Sequence, residues 1–151
     1  MKRYATPERL ADDIGEPLGE SGWRTISQQM VLSFADVTGD HQWIHCDPDR
    51  AVAGPFGTPV AHGFLVASLL PSMLDEVVSV DGCRLVLNKE VERLRFAAPV
   101  PAGSRVRARV KVESVRRRPR QFVECVFSAA VDVENIRPNA CTALLHYLYA
   151  R

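Results

Sequence analysis

The sequence predicts an α+β fold in which a curved antiparallel β-sheet wraps a long buried central helix. Two observations lead there. From Ala61 to Val77 the chain is apolar on nearly every side, and a helix without a polar face has to be covered all round. The second half then alternates apolar and polar residues in long stretches separated by short turns, the pattern of an antiparallel meander with one wet face. The 151 residues suffice for one core, and no repeat, low-complexity run or linker divides them, so residues 1–151 read as a single domain.

The elements follow in order. Thr6 to Ile14 reads as a short helix, with Thr6 as cap, Pro7 in the first turn and Gly15 as stop. Trp23 to Ile26 reads as a short strand. Ser27 caps a helix striped by Met30, Val31, Phe34 and Val37, which ends at Gly39. Asp47-Pro48-Asp49-Arg50-Ala51 starts another short helix with Gly54 as its stop, and the Gly- and Pro-rich stretch Gly54–Pro59 is a loop. After the apolar helix, Cys83 to Phe96 is a strand and Val100–Gly103 a turn. Arg105 to Val115 alternates Val106, Ala108, Val110 and Val112 against Arg105, Arg107, Arg109 and Lys111. Arg116–Arg120 turns the chain, Gln121 to Val133 alternates again, Asn135–Asn139 turns, and Ala140 to Tyr149 is the last strand.

Composition narrows the function classes. Nineteen Lys and Arg stand against eighteen Asp and Glu, a net charge of +1 that offers no global attraction to nucleic acid or to membranes. The longest apolar run, Phe64 to Leu74, is too short to span a bilayer. Met1–Ala5 shows no secretory pattern, and Cys46, Cys83, Cys125 and Cys141 have neither disulfide-framework nor zinc spacing. A cytoplasmic protein with reduced thiols is the expectation.

Two segments carry chemistry. Gly39-Asp40-His41-Gln42-Trp43-Ile44-His45 puts a carboxylate and an imidazole five residues apart in a turn between helices, and Val60-Ala61-His62-Gly63-Phe64 leads a loop into the apolar helix. Together with Arg95-Phe96-Ala97-Ala98-Pro99-Val100-Pro101-Ala102-Gly103, these segments resemble the MaoC-like acyl-CoA dehydratases, in particular the nodulation-protein-N-like branch. The resemblance implies a hotdog fold and an R-specific enoyl-CoA hydratase, a lyase that adds water to an α,β-unsaturated thioester. It implies Asp40 and His45 as the catalytic pair and the Gly63 N–H as the donor to the thioester carbonyl. Val60, Ala61, His62 and Asn88 would bind substrate. Coenzyme A would enter as part of the substrate, with no separate cofactor and no metal, and the protein would be a homodimer. Asn88-Lys89-Glu90 stands where the branch has Asn-Tyr-Gly, on a strand expected to line the pantetheine tunnel and the dimer seam, which bears on acyl-chain preference.

Blander readings compete. Asp40 after Gly39 is also a common turn residue. His41, His45 and Cys46 have no second pair at metal-ligand spacing, and Cys46 suits an inert small residue. His62 fits a structural or substrate-flanking histidine better than a second base. Trp43 and Phe56 fit a wall, Asp36 a solvated helix position, and the cations of Arg105–Lys111 a solvent-facing strand. A hotdog thioesterase and a non-catalytic acyl-CoA-binding module are the alternative functions.

Overall fold

The computed structural model describes residues 1–151, Pro138 by its backbone alone. Its strands are β1 (Lys2–Tyr4), β2 (Pro17–Glu20), β3 (Arg24–Thr25), β4 (Val78–Val80), β5 (Leu85–Phe96), β6 (Arg105–Arg118), β7 (Phe122–Val133) and β8 (Ile136–Ala150). The helices are α1 (Gln28–Thr38), α2 (Trp43–Cys46), α3 (Pro48–Val52), α4 (Gly63–Ser68) and α5 (Leu70–Val77), with a 3₁₀ segment over Pro7–Asp13. The main sheet runs β2-β6-β7-β8-β5, with β3 also on β6, and every pairing in it is antiparallel. A small parallel pair, β1 with β4, ties the N-terminus to the end of α5.

The alternation read from sequence places the core. Val106, Ala108, Val110 and Val112 of β6, Val123, Cys125, Phe127, Ala129 and Val131 of β7, and Cys141, Ala143 and Leu145 of β8 are all buried. They close on Leu65, Val66, Leu70, Met73, Leu74 and Val77 of the helices. A fully buried side chain of this size contributes about 1.5–3 kcal/mol, so the sheet–helix contact dominates stability. A curved sheet around a central helix is the hotdog arrangement.

The central helix differs from expectation. Ala61 and His62 precede it, and it is two segments that meet at Leu69. Pro71 lacks the N–H that a continuous helix would direct at the Ala67 carbonyl, which explains the break. Nor is the helix buried all round. Phe64 is 66% exposed, and Ser72, Asp75 and Glu76 form a wet stripe.

Boundaries shift elsewhere too. The β6–β7 hairpin turns more tightly than expected, because Arg120 and Gln121 both take positive φ, +60° and +63°, the hand that suits right-twisted strands. β8 begins at Ile136 rather than Ala140, since Glu134 and Asn135, the latter at φ +61°, complete the preceding turn in two residues. The N-terminal helix is a 3₁₀ helix over Pro7–Asp13, and the Thr6 side chain makes no capping bond. Ser27 and Asp47 do cap as expected, each accepting from the backbone N–H three residues on.

Strand β5 is the outer strand of the main sheet, and among the described residues no strand pairs with its other edge. Leu85, Val86, Leu87, Val91 and Phe96 are exposed along it. No helix among the described residues is long and apolar enough to cross a membrane.

Candidate active site

Gly39 ends α1 in the left-handed region, φ +77°, with its N–H on the Ala35 carbonyl. That cap turns the chain so that Asp40 leads straight into α2. Asp40 lies at the surface, 55% exposed, and its carboxylate accepts from the Gln42 N–H at 3.4 Å. Five residues on, His45 is carried inward by α2 and is only 7% exposed. Gln28 of α1 holds that turn by donating its side-chain amide to the His45 carbonyl at 2.8 Å.

The loop before α4 is fixed on both sides. Val60 N–H donates to the Ile44 carbonyl at 3.0 Å, and Ala61 N–H donates to the Val100 carbonyl at 2.8 Å. So positioned, the Val60 carbonyl accepts from His45 Nδ1 at 2.6 Å. A carbonyl can only accept, so Nδ1 carries the proton. Burial, helped by the neighbouring His62, pushes His45 below its ordinary value of 6.5 despite the Val60 bond and Asp40. At neutral pH the ring is therefore uncharged, and Nε2 holds a free lone pair.

His62 stands at the N-terminus of α4 and is 3% exposed. Its Nε2–H donates to the backbone carbonyl of Asp40 at 2.9 Å, while the Asp40 carboxylate lies 3.9 Å away. Its ring stacks on His45 with centroids 3.8 Å apart and packs at 5.0 Å from Phe34. Asp40, His45 and His62 thus offer ligating atoms within 4.8 Å of one another. His45 Nδ1 and His62 Nε2 direct their protons at carbonyls, which leaves His45 Nε2 as a lone pair near the Asp40 carboxylate, an arrangement suited to proton transfer.

Gly63 is the first residue of α4, where a backbone N–H has no acceptor within the helix. A Cβ at this position would lie 2.8 Å from the Phe96 ring, so only glycine lets strand and helix approach so closely. Gly63, Ala61, Phe64, Phe56 and Phe96 line a groove of about 410 Å³. On the other side of Phe64 a second apolar groove of about 350 Å³ runs between α4–α5 and β5, and Asn88 lines it with Val91 and Leu145. Phe64 belongs to both, its ring edge-on to Phe96 at 5.4 Å.

The structure thus brings Asp40, His45 and His62 together, with Gly63 next to His62 in the chain, Ala61 and Gly63 lining the first groove and Asn88 the second. Val60 has a buried side chain and meets the site through its carbonyl. Asp36 and His41 stay outside, paired with each other at 3.0 Å on the surface. Burial raises the Cys46 thiol, which keeps it protonated. The cations of β6 face outward, Arg105 on Glu134 and Arg109 bidentate on Asp132. Sequence reasoning missed the stacking of His62 on His45 and the part played by the Val60 carbonyl. The signal for the first was a histidine immediately before Gly63; contacts across the loop leave none.

A curved antiparallel sheet on a central helix places the chain in the hotdog class. Residues 9–133 match the family model of the MaoC like domain, and the chain belongs to this family of dehydratases, which are hydro-lyases. It is 46% identical over 143 residues to 3-hydroxyacyl-thioester dehydratase Z of Mycobacterium tuberculosis, covering 95% of each chain. To nodulation protein N of Rhizobium leguminosarum bv. viciae it is 40% identical over 132 residues, covering 86% of this chain and 82% of the relative. In fold it is similar to the monoamine oxidase regulatory protein from Archaeoglobus fulgius, with a TM-score of 0.80, 24% identity and coverage of 99% and 97%.

Proposed function

We propose that the protein is an R-specific enoyl-thioester hydratase, reversibly adding water to a trans-2-enoyl-CoA to give the (R)-3-hydroxyacyl-CoA. The observation that carries this reading is the His45–Val60 bond. It fixes the proton on Nδ1 and leaves Nε2 basic next to a carboxylate. Asp40 and Nε2 of His45 hold one water between them and take a proton from it as its oxygen bonds to the β-carbon. The electron pair of the double bond moves onto the thioester carbonyl, whose oxygen is held by the Gly63 N–H. A donor fixed in advance in this way is worth about 3 kcal/mol in the transition state. The proton then returns to the α-carbon, and the carbonyl re-forms. The groove under Phe96 receives the thioester, and the groove beyond Phe64 lies along the path of the acyl chain or pantetheine.

The working unit is a homodimer. The unpaired edge of β5 and its exposed Leu85, Val86, Leu87 and Val91 are a liability for a monomer and a ready seam for a second copy. Light scattering at micromolar concentration should give twice the mass of the chain, and an active monomer refutes the dimer. Incubation with crotonyl-CoA tests the reaction itself. Loss of enoyl absorbance together with a 3R product supports hydration. Release of free thiol would mean a thioesterase, and no turnover would leave a binding module.

A further inference from the structure

A histidine is a costly filler for position 62. The ring is almost fully buried, and among the described residues nothing partners its Nδ1. A phenylalanine or leucine would fill the same space between Phe34 and His45 without leaving a polar atom unpaired. Something other than packing therefore accounts for an imidazole here.

Three contacts converge on this side chain. Its Nε2–H holds the Asp40 carbonyl at 2.9 Å, which sets where the carboxylate leaves the backbone. Its ring face lies against His45, with centroids 3.8 Å apart and planes 25° from parallel, which leaves the catalytic imidazole little freedom to tilt. Its own carbonyl carbon forms the peptide unit whose nitrogen is the Gly63 N–H. Anchoring the side chain at one end therefore orients that N–H at the other.

We propose that His62 is a positioning residue that locks the Asp40–His45 pair and the Gly63 N–H into one frame through its bond to the Asp40 carbonyl. It acts through its neighbours, keeping the proton-transfer groups and the carbonyl-binding group at a fixed separation. This rests on the hydratase reading for its consequence in rate, but not for its consequence in geometry. Misplacing reacting groups by about an ångström costs on the order of a hundredfold in rate.

Three proteins separate this role from simple packing. His62→Phe keeps a stacking ring but loses the donor. His62→Gln loses the ring but keeps an amide donor close to the place of Nε2. With crotonyl-CoA, His62→Phe should lower kcat by on the order of a hundredfold. Its KM should change by less than about threefold, because the lost precision matters in the transition state. His62→Gln should recover at least about tenfold over His62→Phe. Circular dichroism and thermal midpoints should be close to wild type. A His62→Phe protein with near wild-type kcat, a loss that falls on KM, or equal kcat for Phe and Gln would each overturn the proposal. If His62→Phe does not fold, His62→Gln against His62→Asn decides, since the shorter amide cannot reach the carbonyl; equal activities refute.

Amide nitrogen–proton spectra supply a readout that needs no turnover. In His62→Phe the Asp40 and Gly63 resonances should shift or broaden while those of β7 stay in place. If wild type fails to hydrate crotonyl-CoA, the hydratase reading falls, and these spectra alone judge His62. Unmoved Asp40 and Gly63 signals would then overturn the positioning role.

Discussion

Glu124 offers the sharpest test of what holds the sheet together. It points away from the core, between Val123 and Cys125, yet is only 2% exposed, because Lys89, Arg118 and His146 close over it. Lys89 Nζ donates at 2.7 Å, Arg118 Nε at 2.6 Å, and His146 Nδ1 lies at 3.3 Å. These bonds, with Lys89 first, outweigh burial and hold the carboxyl down to about 2, against an ordinary 4.5. A carboxylate so placed is stabilised by about 3 kcal/mol as the anion relative to the unfolded chain. Glu124→Gln keeps the volume and removes the charge while leaving two cations behind. Urea denaturation at pH 7 should therefore show a loss of about 3 kcal/mol, with a Tm lower by roughly 6–12 °C. The sign of the pH dependence follows from the lowered value. The stabilisation is complete above pH 4.5, and it fades as pH falls towards 2 because the folded protein takes up the proton last. The gap between wild type and variant should hold from pH 7 to 5 and narrow at pH 3. A gap under about 1 kcal/mol at pH 7, or one of equal size at pH 3, would refute the reasoning.

Three expectations concern turnover. Asp40→Asn and His45→Gln should each lower kcat by about a hundredfold to ten-thousandfold. Because both serve one water, the double variant should be little worse than the weaker single one, and multiplying losses in crotonyl-CoA assays would break the shared-water mechanism. Gly63→Val should cost about a hundredfold in kcat with the fold retained by circular dichroism, since its side chain would collide with the Phe96 ring and occupy the carbonyl position. Burial holds His45 below 6.5, so the acid limb of kcat/KM should have its midpoint below pH 6.5; a midpoint at or above 6.5 contradicts the neutral buried base.

The strands of the second half were legible because alternation directly reports a sheet with one wet face. The caps at Ser27, Gly39 and Asp47 were legible because they are local chemistry. β2 was not, since Pro17 and Gly19 break any alternation and the strand exists only by pairing with Lys111–Arg109 of β6. The break at Leu69 was masked by the apolar run, although Pro71 was its visible cause. In the site, Asp40, His45 and Gly63 were picked out by the resemblance of two short segments to a family, and the structure places Asp40 near His45 and Gly63 at the start of α4. The partners that tune them, the Val60 carbonyl and the Asp40 carbonyl, are backbone atoms and leave no mark on side-chain identity. Lys89 shows the same limit on a larger scale. Its departure from the pattern of the branch made sense only once Glu124, 35 residues away, was found beneath it.

The burial of His45 also bears on how the protein responds to acid. It preserves a neutral ring inside the fold, whereas the unfolded chain exposes an imidazole that takes up a proton near pH 6.5. Below that pH the unfolded state binds the proton more readily, so acid favours opening of the segment around α2. The burial that keeps His45 neutral thus makes the candidate site an acid-sensitive part of the molecule. Mild acidification should lower activity first by charging the proposed base, and then by favouring the state in which His45 is back in water.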